Sequence, residues 1–316
     1  MSADAEQIYQ NDQTAEQDTD DPNQCHFDLY IKASPIDKET RGPCPLCQQW
    51  FMIAYLMAEN QEGVVFKVFT VQADCPPKLF VDKGWSKTFP VVIAKKPCRN
   101  KAGHDLADEM FDTFEELEKF FEGINRSCPE LKRHNAPNSN AVLEVADIYA
   151  VFCGFLKGSK KLVHLERKLE ELNEFLESNE GIFLVDDVLS FADCHLLPRL
   201  QHLRVAAEKY CNYQIPSKFT ALWKYFDNAY KQPAFINTLP SDQDVVYNYE
   251  KKTAFPLPKR GNPTLQAFTY TKDIPEEVKA VLSQTTESNG EAALNEPNEN
   301  ESSINVDATT NDNYQE

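Results

Sequence analysis

The sequence of 316 residues lacks several features that would assign it to a particular class. No run of eighteen apolar residues occurs, so we expect no ordinary, permanently inserted membrane helix. No basic cluster is visible that would neutralise phosphates, and we therefore expect no nucleic-acid partner. The first ten residues, MSADAEQIYQ, contain neither a basic region nor an apolar one, so we expect no secretory signal. These absences predict a protein that is made in soluble form in the cytoplasm.

The negative charge is concentrated at the two ends of the chain. The formal net charge is −18, from 50 acidic and 32 basic residues. Residues 1–24 hold seven acids and residues 283–316 hold eight, and neither segment contains a base. The 35 acids and 32 bases between Cys25 and Leu282 nearly balance. Because both ends are poor in large apolar residues, we expect a disordered acidic tail at each end.

Residues 25–126 show the alternation of strands and helices that is typical of a thioredoxin-like domain. The order of the predicted elements is βαβ followed by ββα. These elements are strands at His26–Lys32, Val64–Gln72, Phe89–Ala94 and Leu106–Phe111, and helices at Leu46–Ala58, over residues 78–83 and at Phe114–Glu122. We expect Asp112 and Glu115 to form a capping box at the start of the last of these helices.

After a linker predicted at residues 127–140, the period of the apolar residues becomes helical and residues 141–252 are predicted to form an all-helical domain. The predicted helices are Ala141–Leu156, Leu162–Leu176, Phe191–Tyr210, Lys218–Tyr230 and Gln243–Lys251. Ser190 and Asp193 have the spacing of a capping pair, which is a structural role. Residues 253–316 are predicted to be an extended, mostly disordered tail with one helix at Pro275–Leu282.

The motif Cys44-Pro45-Leu46-Cys47 is the strongest indication of chemistry, because a predicted strand precedes it and a predicted helix follows it. Unpaired N–H groups and the positive end of the helix dipole stabilise a thiolate at Cys44. Cys47, one turn further along the helix, is placed to resolve a mixed disulfide. We therefore predict Cys44 and Cys47 as catalytic residues. One alternative is that both cysteines only cap and pack.

A structural zinc site is the second alternative use of this motif. It needs another pair of ligands, and only Cys25-His26 offers one, so we predict no metal. The nine cysteines form an odd set without framework spacing, and we expect free thiols in a reducing compartment. Cys153 and Cys194 lie on apolar helical faces and are predicted to be inert core thiols.

Two further motifs fit a glutathione site. Phe89-Pro90 opens a predicted strand, where a cis proline of a thioredoxin-like fold brings the main chain of its neighbour beside the helix-borne cysteine. The alternative is an ordinary edge-strand proline. Asp112-Thr113 opens a predicted helix whose N-terminus can hold the γ-glutamyl carboxylate, and a plain N-cap is the alternative. We predict Phe89, Pro90, Asp112 and Thr113 as glutathione-binding residues.

Several motifs resemble the chloride intracellular channel family, and in particular its invertebrate members. They are CPLC, Phe89-Pro90, the segment SFADCHLLPRL at residues 190–200, Ile215-Pro216, residues 228–230 and residues 235–242. The resemblance covers residues 26–250. It implies a monomer with the fold of the omega-class glutathione transferases, in which Cys44 is the glutathione-linked thiol, Phe89-Pro90 the backbone clamp and Thr113 a contact to the γ-glutamyl end.

The resemblance also implies a second, membrane-bound form that conducts chloride and is oligomeric. The inserted segment would be Cys44–Phe66, whose predicted helix is apolar on two faces. Glu59 and Glu62 make this insertion expensive unless they lose their charge or face water. Two other functions remain open: a glutathione-dependent thiol oxidoreductase that uses Cys44, and a non-catalytic interaction module that binds partners through its acidic tails.

Overall fold

The structure, a computed structural model, describes residues 24–82, 88–256 and 268–283. The first domain contains a four-stranded mixed sheet in the order β2-β1-β3-β4, with β1 parallel to β2 and antiparallel to β3. Its elements are β1 (Cys25–Lys32), α1 (Pro45–Asn60), β2 (Val64–Val71), α2 (Lys78–Asp82), β3 (Val91–Cys98), β4 (Met110–Phe111) and α3 (Phe114–Ile124). The predicted thioredoxin-like fold is therefore confirmed.

The second domain is helical throughout the part of it that the structure describes. Its helices are α4 (Ala136–Val145), α5 (Ile148–Leu156), α6 (Leu162–Ser178), α7 (Phe191–Cys211), α8 (Thr220–Ala229), α9 (Pro233–Ile236) and α10 (Asp242–Tyr249). The longest helix, α7, is buried along most of its length and packs against α1 of the first domain. The predicted all-helical domain is confirmed.

The aromatic core of the first domain forms because alternate residues of β1 point to one face. Phe27 of β1 is buried and meets the rings of Phe120 and Phe121 of α3 edge to face. Trp50 of α1 stacks on Phe121 at a centroid distance of 5.1 Å and meets Phe191 of α7 at 6.1 Å. One tryptophan thus connects the sheet domain to the helical domain.

Three predictions about the helices are wrong in detail. Residues 141–156 were expected to form one helix, but the chain turns at Ala146 and Asp147 and divides it into α4 and α5. Helix α4 begins at Ala136, within the stretch predicted as a linker, because the Asn135 side chain accepts a hydrogen bond from the Asn138 N–H and caps it. The four-residue helix α9 was not predicted, since four residues are too few for an apolar period to repeat.

The expectation of free thiols fails for two cysteines. Cys25 and Cys98 form a disulfide, because the antiparallel register of β1 and β3 places them opposite each other. The other seven cysteines are free. Cys194 is buried, as predicted for a core thiol, whereas Cys153 is only half-buried. The sulfur of Cys25 is therefore not available for the zinc site that was considered as an alternative.

Residues 268–283 pack against the helical domain. The side chain of Asp242 accepts hydrogen bonds from Thr269 and Thr271, and Ile274 and Val278 are buried. The helix predicted at residues 275–282 is confirmed at 276–283. The tails were predicted at residues 1–24 and 253–316, and the second prediction is wrong for residues 268–283, which pack on the helical domain. Residues 1–23, 257–267 and 284–316 lie outside the described residues.

Among the described residues, one helical stretch has the length and composition to cross a membrane: the 21 residues Ala136–Leu156, with a mean hydropathy of 1.4 over a window of eighteen residues. The sequence analysis did not predict this stretch, because polar residues interrupt it and no run of eighteen apolar residues occurs. A third of this stretch is buried inside the fold, and α4 and α5 both pack on α7, as the core helices of a soluble protein also do.

The start of α7 depends on one buried carboxylate. Asp193 Oδ1 accepts hydrogen bonds from the Leu184 N–H (3.0 Å) and the Tyr225 hydroxyl (2.8 Å). Asp193 Oδ2 accepts from the N–H (2.8 Å) and hydroxyl (2.6 Å) of Ser190. The Ser190 side chain in turn caps the Asp193 N–H, so the predicted capping pair is confirmed.

We expect Asp193→Ala to lower the free energy of unfolding by about 3 kcal/mol, because it leaves several buried donors without an acceptor. Urea unfolding followed by circular dichroism measures the loss. The control is Asp186→Ala, an exposed position where we expect a change of about 0.5 kcal/mol or less. Equal losses in the two variants would contradict a special role for Asp193.

Candidate functional site

The first turn of α1 is held against the end of β1 by a tight approach at Gly42. The Gly42 N–H donates to the Lys32 carbonyl at 2.8 Å. A Cβ at this position would lie 2.3 Å from the Ala33 carbonyl oxygen, so only glycine fits. Cys44 follows as the N-cap of α1 in an extended conformation, and Pro45 occupies the first turn. The local sequence thus fixes the thiol of Cys44 at the helix N-terminus.

The two cysteines have opposite acidities. The Cys47 thiol donates a hydrogen bond to the Cys44 sulfur and lowers the pKa of Cys44 to about 6, although burial opposes this. The N–H groups of Cys47 and Leu46 and the ammonium of Lys32 lower that pKa further. Burial, and then the interaction with Cys44, raises the pKa of Cys47. Cys44 is therefore the thiolate at neutral pH, and Cys47 is its proton-bearing partner.

Helix α1 adds to this stabilisation because it carries no acidic residue in its first turn. Its first charged residue is Glu59, near its other end. No neighbouring carboxylate on the helix therefore offsets the positive end of the helix dipole. The arrangement favours a nucleophilic thiolate, since thiolates and not thiols attack disulfides.

A cavity of about 560 Å³ opens beside Cys44 between the two domains. Cys44 and its flanking prolines line one side, and Tyr149, residues 247–248 and residues 250–252 line the other. The Tyr149 hydroxyl lies 2.8 Å from the Tyr249 hydroxyl, which is 3.1 Å from Nδ1 of His202. The cavity therefore joins the thiol to a chain of polar groups in the helical core.

The predicted glutathione-binding residues Phe89 and Pro90 do not line this cavity. The Phe89–Pro90 peptide bond is cis, as the sequence predicts. The Phe89 side chain is buried, with its ring 6.0 Å from that of Phe80 of α2. Their role as a backbone clamp for glutathione stays a prediction.

The cap of α3 differs from the predicted one by one residue. The Thr113 hydroxyl accepts from the Glu116 N–H at 3.2 Å, and the Glu116 carboxylate accepts from the N–H groups of Asp112 and Thr113. The predicted pair of Asp112 and Glu115 is wrong, because the N-cap of the helix is Thr113 and not Asp112. Since Glu116 occupies the exposed amides, a γ-glutamyl carboxylate must displace it to bind there.

Arg199 of α7 is a residue of this region that the sequence did not single out. Its guanidinium donates to Gln49 Oε1 at 3.0 Å and to the His195 carbonyl, and lies 6.0 Å from the centre of the Tyr149 ring. Burial lowers its pKa, whereas the charges of Tyr149 and Cys44 raise it. A lone basic residue in the apolar run LLPRL was the only signal in the sequence.

Two histidines of α7, the buried His202 and the half-buried His195, have no carboxylate partner among the described residues. Burial, and then the charge of Arg199, lowers the pKa of both His195 and His202 to about 3. His195 was predicted to be a packed or solvated residue and not part of a catalytic dyad with Asp193. It is half-buried, and the Asp193 carboxylate accepts hydrogen bonds from Ser190, Leu184 and Tyr225 instead.

A second group of potential metal ligands lies on α3 and after it. Ligand atoms of Glu118, Glu122 and His134 lie within 4.8 Å of one another. The Glu118 carboxylate already has two partners, His134 Nε2 at 2.6 Å and Arg133 Nη1 at 3.0 Å. Because Arg133 and His134 already bind the carboxylate, we assign no metal to this group.

A thioredoxin-like domain with a low-pKa cysteine at the start of its first helix, followed by an all-helical domain, defines a protein of the glutathione-transferase fold. Comparison with known protein families supports this two-domain assignment. Residues 25–99 match the CLIC-like N-terminal domain, and residues 145–233 match the glutathione S-transferase C-terminal domain.

The chain is 30% identical over 251 residues to the chloride intracellular channel Clic of Drosophila melanogaster, which covers 79% of this chain and 90% of the relative. It therefore belongs to the chloride intracellular channel family. The crystal structure of the CLIC homologue EXC-4 from C. elegans has the same fold, with a TM-score of 0.68 and 24% identity over 83% of this chain and 98% of that one. The Chlamydomonas reinhardtii dehydroascorbate reductase is also similar in fold, with a TM-score of 0.56 and 20% identity over 72% and 98% of the two chains.

We expect the alkylation rate of Cys44 by iodoacetamide to rise through pH 6 and to level off near neutral pH, because the thiolate reacts and the thiol does not. Mass spectrometry of the modified peptide measures the rate at this residue. Cys47 is the internal control, since its raised pKa should keep it unmodified. A Cys44 rate that kept rising up to pH 9 would contradict the lowered pKa.

Proposed function

We propose that this protein is a cytoplasmic monomer that associates conditionally with membranes and conducts chloride as an oligomeric, membrane-inserted form. Its membership of the chloride intracellular channel family supports this proposal. The structural observation behind it is the environment of α1. This helix is apolar on both faces and is covered by the sheet on one side and by α7 on the other. If the two domains separated, one of those faces would be free to meet lipid.

The segment proposed to insert is Cys44–Phe66, which comprises α1 and the start of β2. Its only acidic residues, Glu59 and Glu62, are both exposed at the end of the helix. Acidification would lower the cost of inserting them by protonating their carboxylates. A competing segment is Ala136–Leu156, which meets the length and hydropathy needed to cross a membrane.

Release of α1 requires that several polar contacts between the domains break. Ser34 Oγ donates to Asp244 Oδ1 at 2.5 Å, and Asn237 Nδ2 donates to the Tyr55 hydroxyl at 3.1 Å. The interface between the domains therefore contains oriented hydrogen bonds as well as apolar contacts. A trigger is needed to open it.

Acid supplies such a trigger through the histidines of α7. His195 and His202 have a pKa of about 3 in the fold, against 6.5 for a solvated histidine. A state in which α7 is released takes up protons that the closed state cannot accept. The stabilisation is therefore complete above pH 6.5 and is lost progressively as the pH falls from 6.5 toward 3.

We expect acidification from pH 7 to pH 5 to reduce the free energy of unfolding by about 2 kcal/mol for each of these two histidines. The variant His195→Gln/His202→Gln should show a correspondingly smaller loss, and the exposed His104→Gln should behave like the natural protein. Denaturant titrations at the two pH values measure this difference. An unchanged pH dependence in the double variant would show that the histidines are not the source.

Chloride flux from loaded vesicles tests the conductance itself. We expect a larger flux at pH 5 than at pH 7, and a smaller acid response in the histidine double variant than in His104→Gln, because fewer molecules open. Absence of flux at any pH with folded protein would contradict the channel proposal.

The geometry of Cys44 also favours a second function, a glutathione-dependent thiol oxidoreductase. The supporting observation is a thiolate with a pKa of about 6 that lies beside an open cavity, with the thiol of Cys47 hydrogen-bonded to it. In this proposal Cys44 attacks a disulfide, glutathione binds along Phe89-Pro90 with its γ-glutamyl end at Asp112 and Thr113, and its thiolate releases the product.

We expect Cys44→Ser to abolish glutathione-dependent reduction of a mixed disulfide, because the hydroxyl of serine is not ionised at neutral pH. Cys47→Ser should retain turnover, since glutathione can resolve the intermediate, but it should raise the pKa of Cys44 by removing its thiol donor. A coupled assay with glutathione reductase measures both. Full activity in Cys44→Ser would refute the assignment of the nucleophile.

A further inference from the structure

The cavity beside Cys44 is more basic than the chain that surrounds it. Four lysines from two distant parts of the sequence line it: Lys32 and Lys38 from the first domain, and Lys251 and Lys252 from the segment that follows α10. Only two acids, Asp74 and Glu250, share the lining. The full chain carries a net charge of −18, so this local excess of positive charge runs against the overall charge.

These lysines are not neutralised by ion pairs. Among the described residues, none of the four has a carboxylate oxygen within 4.0 Å of its ammonium. Lys252 Nζ donates to Asn248 Oδ1 at 2.9 Å, which is an uncharged partner. The Lys32 ammonium lies close enough to Cys44 to lower the pKa of that thiol. Positive charge is thus available to an anion that enters the cavity.

The rest of the lining is suited to an organic molecule and not to a bare ion. Tyr149 and Tyr247 supply aromatic surface on the side of the helical domain, and Pro43 and Pro45 flank Cys44 on the other. The guanidinium of Arg199 does not line the cavity but lies 6.0 Å from the centre of the Tyr149 ring, so a further positive charge is nearby. Phe89, Pro90, Asp112 and Thr113 take no part in the lining, so the cavity is separate from the predicted glutathione clamp.

We propose that this cavity binds the second substrate of the Cys44 thiol and that this substrate is a small disulfide carrying carboxylate groups. The inference rests on the thiol chemistry proposed above and assigns its substrate class. The lysines bind the carboxylates, the tyrosines cover the carbon skeleton, and the disulfide sulfur lies within reach of Cys44.

The step needs no reagent beyond the substrate. The Cys44 thiolate attacks one sulfur of the disulfide, a new S–S bond forms to Cys44, and the original S–S bond breaks. The leaving group departs as a thiolate and carries away the electron pair, so the disulfide is reduced and Cys44 is oxidised. Positive charge near the cavity also stabilises this departing thiolate.

The lysines act at short range. At physiological ionic strength the Debye length is about 8 Å, so the acids elsewhere on the chain are screened from a ligand in the cavity more than the lining lysines are. Charge selectivity should therefore survive the negative net charge of the protein, and it should weaken as salt is added.

Two chromogenic disulfides of opposite character test the inference: dithiobis(nitrobenzoate), which carries two carboxylates, and dithiodipyridine, which is uncharged. The protein is the full chain with Cys75→Ser, because Cys75 is an exposed free thiol. The fast phase that is absent when Cys44→Ser is added reports on Cys44. The test variant is Lys251→Gln/Lys252→Gln, and the control is Lys160→Gln/Lys161→Gln, two adjacent exposed lysines outside the cavity.

We expect the test variant to lose about tenfold in its rate with the anionic disulfide at low salt, and to show a flatter dependence on salt. Its rate with the neutral disulfide should match that of the control. An equal fall with both disulfides, or no fall with either, would overturn the inference. If charge selectivity is found without glutathione-dependent turnover, the oxidoreductase proposal fails and the assignment of the cavity stands.

Discussion

The packing of α1 between the sheet and α7 is the constraint on which the rest of the structure depends. Trp50 places one ring against both the aromatic core of the first domain and the start of α7. The same helix carries Cys44 at its N-terminus and forms one wall of the domain interface. Because the thiol site needs α1 in place and the proposed insertion needs α1 released, the two proposed functions exclude each other within one molecule. Whatever opens the interface ends the thiol chemistry.

The pKa of Cys44 is lowered more by hydrogen bonds from neighbouring groups of the fold than by nearby charged side chains. Cys44 receives a hydrogen bond from Cys47 and lies near two helix N–H groups, and only Lys32 contributes a full charge. Such a thiolate is stabilised by groups that the fold holds fixed. The histidines of α7 are kept neutral instead, since burial and the charge of Arg199 disfavour the imidazolium and no carboxylate among the described residues offsets them. The thiol of Cys44 is therefore ionised at neutral pH, whereas the imidazoles of His195 and His202 stay neutral even in moderately acidic solution.

Local patterns predicted the parts of the fold that local physics decides. The helix after Cys44 follows from a mostly apolar stretch without a helix breaker, the cap at Ser190 from the Asp193 three residues later, and the cis bond at Pro90 from its place after the CxxC motif. The Cys25–Cys98 disulfide was missed because it depends on the register of two strands that are 73 residues apart in sequence. The lysines of the cavity were missed for the same reason, since nothing in the sequence places residue 251 beside residue 32. The register of the α3 cap was missed because Asp112 and Thr113 are both acceptable caps.

The hydroxyl chain from Tyr149 through Tyr249 to His202 has a consequence for how the two proposed functions influence each other. A carboxylate bound next to Tyr149 favours positive charge nearby, and so makes it easier for the closed molecule to accept a proton on His202. By thermodynamic linkage, a ligand in the cavity then makes the closed form more stable in acid, and acid in turn raises the affinity of the closed form for that ligand. The concentration of the substrate would thereby set the pH at which the domains open and the protein inserts into a membrane.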